Sequence, residues 1–171
     1  MSKKLFEYLS YPVLALGVLP SGYVLYDDGS YCYEHEGVFS TVEFRKDKIE
    51  EYLKNAKTKK NEHLLFKSKE LADKVKEIID SNKTELQKIP GELYHPTILD
   101  GDYNYIRFGT KTIEGGNILT ELPYEKSENE KGCEASLYHF EFENELVFVT
   151  NLFIKIRDII KEYQSTNQIS D

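Results

Sequence analysis

The chain has no tryptophan, one methionine, two cysteines and only three arginines among its 171 residues. Each scarcity narrows the field. Cys32 and Cys133 stand alone and far apart, so they build neither a disulfide framework nor a CxxC redox or zinc motif. His35, His63, His95 and His139 show no HxH or HExxH spacing, and the sequence reading carries no metal and no cofactor. Phosphate cradles of the GxxxxGK[ST] or GxGxxG type are missing, as is a GxSxG nucleophile elbow. The longest apolar run, "YPVLALGVLP", is far shorter than the ~20 residues that a membrane helix needs. Glu7, Pro12 and Pro20 interrupt the apolar region behind "MSKK", and no small-residue cleavage site follows, so the chain reads as cytosolic.

What is plentiful is charge and aromatic rings. Thirty Asp and Glu against 22 Lys and Arg leave a net charge of −8, and 13 Tyr with nine Phe supply much of the material for a core. Apolar residues make up 40% and charged residues 30%, a balance that supports a packed core without disulfides. A chain of this length reads as one globular domain, residues 1–171, burying roughly 70% of its unfolded surface. Its many Lys, Ile, Glu and Asn with so few Arg suggest an AT-rich bacterial or phage genome.

Charge is unevenly placed. Residues 43–88 carry 13 Lys and Arg against 10 Asp and Glu, whereas residues 121–145 carry eight Glu against Lys126 and Lys131. The lysine cluster "KNAKTKKNEHLLFKSK" has no Arg and few aromatics, so it serves neither phosphate recognition nor base stacking and reads as a solvated helix end. Nucleic acid is therefore not among the expected partners.

Hydrophobic patterning gives the elements. "SKKLFEYLS" predicts two helical turns, "PVLALGV" a strand, and "YVLY" and "SYCYE" a hairpin around "DDG". A three-residue loop with Gly29 left-handed gathers Tyr23, Leu25, Tyr31 and Tyr33 on one face and is preferred over a two-residue loop. "GVFSTVEF" reads as a further strand, and Asp47 with Glu50 opens a helix through "KIEEYLKNAK". Ser68 caps a longer helix with Leu71, Val75, Ile78, Ile79 and Leu86 on its apolar face, continuous or restarted at Thr84. "YNYIRFG" and "KTIEGGNIL" form a second hairpin, and "TELPYEKSENEKGCE" an exposed loop. "ASLYHFEFE" and "LVFV" are strands, and Asn151 caps a final helix through Tyr163. The fold class is α+β: a mainly antiparallel sheet of about five to seven strands with two or three helices packed on one face.

Candidate chemistry is sparse. In "EHE", Glu34 and Glu36 share a strand face while His35 points away, which opposes a three-ligand chelate. "DGDYN" begins like a calcium loop, but Tyr105 stands where Gly is required and Lys111 where a bidentate Glu is required. Cys133 lies among glutamates, which raise a thiol pKa. Two features remain. Glu121, Glu125, Glu128, Glu130 and Glu134 form a dense, uncompensated acidic run that would draw in a basic partner. Tyr23, Tyr31 and Tyr33 supply large rings with hydroxyl rims, suited either to the core beneath a helix or to a contact surface.

In size and charge the chain resembles the immunity proteins that block nuclease and other toxins. That resemblance implies a non-enzymatic, acidic, cytoplasmic domain that neutralises or regulates a basic protein, a toxin being the model partner, by occlusion with electrostatic steering. Two alternatives stand beside it. One is an enzyme whose site gathers scattered groups such as Asp100, Asp102, His139 and Glu141. The other is a structural or phage-encoded subunit that forms a homodimer through the last helix.

Overall fold

The computed structural model describes residues 2–11, 21–36, 60–93, 103–116, 118–119 and 143–167. These form a six-stranded antiparallel sheet and three helices, the α+β class that the patterning predicts. The strands are β1 (Lys4–Tyr11), β2 (Ser21–Tyr26), β3 (Ser30–Glu36), β4 (Lys60–Lys67), β5 (Tyr103–Phe108) and β6 (Lys111–Gly116). The helices are α1 (Lys69–Ser81), α2 (Lys83–Lys88) and α3 (Glu143–Asn167). Sheet order is β4-β3-β2-β1-β5-β6, so the first strand sits in the middle.

That central position corrects the helical reading of residues 2–10. Leu5, Phe6 and Leu9 have near-helical spacing, but Leu5, Phe6, Glu7 and Leu9 are all buried because β1 is covered on both faces. A strand buried on both sides loses the alternation by which strands are recognised. A bulge at Leu5 adds to the disguise. Lys4 pairs with Tyr26 and Phe6 with Leu25, which brings Lys4 and Glu7 onto the same face.

The tyrosine hairpin follows the predicted three-residue loop. Leu25 faces Tyr31, Val24 faces Cys32 and Tyr23 faces Tyr33, while Gly29 has φ 91° and donates its N–H to the Tyr26 carbonyl. Next to it, β4 is a correction: "KNEHLLFK" is a strand, not part of a solvated helix end. The second hairpin, β5–β6, turns at Gly109 as expected.

Ser68 caps α1, its side chain accepting from the Leu71 N–H, and the chain restarts as the short α2 after Asn82. The last helix begins at Glu143, which removes the predicted "LVFV" strand and the predicted Asn151 cap. Leu146, Val149, Phe153, Ile156 and Ile160 recur every three or four residues and are buried, so the stretch is helical despite its β-branched content. Phe153 packs on Phe6 and Tyr8 at ring-centroid distances of 5.9 and 5.0 Å. This seats α3 on the sheet face bearing Phe6, Tyr8, Leu25, Ile106 and Phe108, with α1 beside it in the same core. Among the described residues no helix is long and apolar enough to cross a membrane.

Candidate functional site

Among the described residues, each sheet face carries a grouping of chemically able side chains. On the helix-bearing face, the register Tyr23↔Tyr33 and Leu25↔Tyr31 collects the three predicted tyrosines. Tyr31 is 5% exposed and packs against Phe66 at 5.1 Å. Tyr23 lies flat on Tyr31, with centroids 5.6 Å apart and 7° between planes, and meets Tyr33 at 5.5 Å. Tyr23 itself is 38% exposed and Tyr33 is half-buried. Tyr31 is therefore core, whereas Tyr23 lies against it at the edge of solvent with Tyr33 half-buried beside Tyr23. Burial and the neighbouring Tyr23 push the Tyr31 hydroxyl pKa well above its usual value, so it stays protonated.

The opposite face carries a network that the sequence reading missed. Glu7 and Glu34 are almost fully buried. The Lys4 ammonium bridges them, 2.8 Å from Glu7 Oε1 and 2.7 Å from Glu34 Oε1, and lies 3.8 Å from Glu62. Glu34 and Glu62 are cross-strand partners, a like-charge pairing that is destabilising by itself. Lys4 offsets it, and the Tyr26 hydroxyl donates to the Glu62 carboxylate at 2.8 Å. From β5, Arg107 Nε lies 3.2 Å from Glu7 and its guanidinium donates to the Tyr105 hydroxyl at 2.7 Å. One face of β4, β3, β2, β1 and β5 is thereby laced together by charge.

The electrostatics follow from these contacts. Burial alone would lower the Lys4 pKa, but hydrogen bonds to Glu34 and Glu7 outweigh it, so the ammonium is held above its ordinary range. Burial and then Glu62 push the Tyr26 hydroxyl up. Burial pushes the Cys32 thiol up and Glu62 and Glu34 push it further, so this cysteine is a poor nucleophile at neutral pH. Among the described residues no group of three or more His, Cys, Asp or Glu is placed to hold a metal ion.

Glu7 carried the signal for this network: a carboxylate inside the apolar run "KLFEYLSY". It was legible only as an interruption, because Arg107 reaches it from β5, 100 residues away, and the Lys4 ammonium it accepts from is shared with Glu34 on β3. The acidic run Glu121, Glu125, Glu128, Glu130 and Glu134 lies outside the described residues, as do Asp100, Asp102, His139, Glu141 and Cys133. So do the predicted strands "PVLALGV" and "GVFSTVEF", the helix opened by Asp47, and "ASLYHFEFE" except its last residue, Glu143, which opens α3. No protein-family model, curated protein or solved structure matches the chain.

Proposed function

We propose that this chain is a non-enzymatic, acidic protein-binding domain that neutralises or regulates a basic partner in the bacterial cytoplasm, in the manner of an immunity protein. The observation that carries the reading is the Tyr23 ring, exposed yet stacked on the buried Tyr31. A ring fixed in this way offers a large contact area with little side-chain entropy left to lose on binding. Tyr33 beside it widens the contact. The net charge of −8 and the acidic run at 121–134 supply long-range attraction to a basic surface. Such a partner is best sought among basic proteins encoded beside this one. Tyr23→Ala is expected to speed dissociation from it by roughly tenfold or more, as for a central aromatic anchor, while Tyr23→Phe stays near the parent. Equal dissociation rates for all three proteins would remove the tyrosines from the interface.

A second reading, an enzyme with a site of scattered carboxylates, draws support from the burial of Glu7 and Glu34 around Lys4. Buried, coupled ionisable groups are common at reaction centres. The mutual pairing of Lys4, Glu7, Glu34, Glu62 and Arg107 is also what a purely structural lock requires, so the binding reading is preferred.

A further inference from the structure

Among the described residues, the two edges of the sheet are treated differently. Alongside β6 the chain closes its own edge: Leu93 N–H donates to the Glu114 carbonyl and Glu114 N–H to the Gly91 carbonyl, both at 2.9 Å. The approach is so close that a Cβ on Gly115 would collide with the Leu93 carbonyl oxygen. At the other end of the described sheet, β4 is eight residues long and exposes Leu64 by 62% and Leu65 by 47%. Long edge strands with exposed apolar side chains recruit further strands unless they are blunted. β4 carries two such devices, a bulge at the register shift between Tyr31 and Cys32 and a lysine at each end, Lys60 and Lys67, yet its centre stays apolar.

The bulge also points to the occupant. Residues 62 and 67, five apart, would lie on opposite faces of an uninterrupted strand. Here Glu62 faces Glu34 and Lys67 faces Ser30, positions four apart on β3, so Glu62 and Lys67 share one face. Both are held in place within the chain, Glu62 by the Tyr26 hydroxyl and Lys67 by Asp28 at 3.0 Å. An antiparallel second copy of β4, related by a two-fold axis midway between Leu64 and Leu65, sets each Glu62 against the other copy's Lys67. The same operation sets Leu64 against Leu65 and His63 against Phe66, and it keeps the charged pair on one face and the His63–Phe66 pair on the other. A foreign strand would need this charge order by chance. A second copy has it by symmetry.

We propose that the β4 edge is a homodimer surface, with two chains meeting antiparallel about Leu64 and Leu65 and Glu62 and Lys67 in reciprocal contact. The apolar pair supplies the association and the half-exposed charges set the register. Backbone pairing would run on either side of the bulges, which interrupt the ladder at its centre. This edge adjoins the tyrosine anchor, since His63 pairs with Tyr33 and Phe66 packs on Tyr31, but its test needs no other protein.

Analytical ultracentrifugation of the full chain over a dilution series reads the outcome directly. The parent is expected to show a monomer–dimer equilibrium, and Leu64→Lys with Leu65→Lys to weaken it by at least about tenfold. Glu62→Lys and Lys67→Glu, each alone, are expected to weaken dimerisation by up to about fivefold, and more at low salt than at high salt. The combined Glu62→Lys, Lys67→Glu chain is expected to regain it. Intrachain damage from the two exchanges adds in the combined variant, whereas a contact between copies is restored there, so poor folding cannot imitate recovery. A monomer at every concentration would overturn the proposal. So would a dimer that ignores the leucine changes, or one that the charge exchange fails to restore.

Discussion

Lys4 holds two buried carboxylates from different strands, so its removal strands charge that water cannot reach. Lys4→Met keeps the stem but deletes the ammonium, and it should cost about 3 kcal/mol in urea unfolding, as expected when one member of a buried ion pair is lost. Because the pairing raises the Lys4 pKa, the contribution is fully present below the ordinary 10.5 and is lost as pH climbs through the elevated value. The stability gap between parent and variant should therefore hold at neutral pH, narrow in strong alkali as Lys4 loses its proton, and narrow in acid as Glu7 and Glu34 gain theirs. A gap that closes near pH 7 would assign the stabilisation to another group. Asp28 gives the opposite sign. Accepting from the Ser30 N–H and from Lys67 lowers its pKa from 3.8 to about 2. Its stabilising effect is present above 3.8 and disappears as pH falls toward 2. A carboxyl chemical-shift titration should show that low midpoint, and Lys67→Met should move it part of the way back. An ordinary midpoint in the parent would place Asp28 free in solvent.

Secondary elements were legible wherever their signal was local. The Asp27-Asp28-Gly29 loop was readable because gathering four large side chains on one face selects the register, and Gly29 then must take positive φ. The structure adds what sequence could not: a Cβ on Gly29 would sit 2.5 to 2.6 Å from backbone atoms of Ser68 and Lys69. Gly29→Ala should therefore destabilise by clearly more than the ~1 kcal/mol of a positive-φ turn alone, since the start of α1 must also move. A loss at or under that figure in urea unfolding would show that the loop and α1 are not in close contact. In α3, Ile156 is fully buried, and Ile156→Ala should cost roughly 2–5 kcal/mol. The start of that helix was misjudged because Val147, Phe148 and Val149 favour strands locally, while the core pattern from Leu146 to Ile160 runs at helical spacing. β4 was hidden by its lysines, which suit an edge strand as well as a solvated helix end.

At the scale of the whole molecule, the sheet could not have been ordered from the sequence, because its central contacts are remote. β1 pairs with β5 roughly 100 residues later, Glu7 facing Arg107, and nothing local to either strand announces the other. The buried charge network was hidden for the same reason. Net charge, by contrast, belongs to the whole chain and was readable from the start, and the functional proposal rests on it for partner attraction. Glu121, Glu125, Glu128, Glu130 and Glu134 form its densest part. Charges of this kind act over about a Debye length, near 10 Å at 0.1 M salt, before any side chain touches the partner. They should therefore speed encounter with a basic protein more than they slow dissociation, the task left to Tyr23 and Tyr33. Reversing three of them in a Glu125→Lys, Glu128→Lys, Glu130→Lys variant changes net charge from −8 to about −2, enough to remove most of the steering. Stopped-flow association should then slow by roughly tenfold or more at low salt, with a flatter salt dependence and a nearly unchanged dissociation rate. Association that is equal for parent and variant at both low and high salt would reduce the acidic run to a solubility feature. Recognition would then rest on the tyrosine face alone.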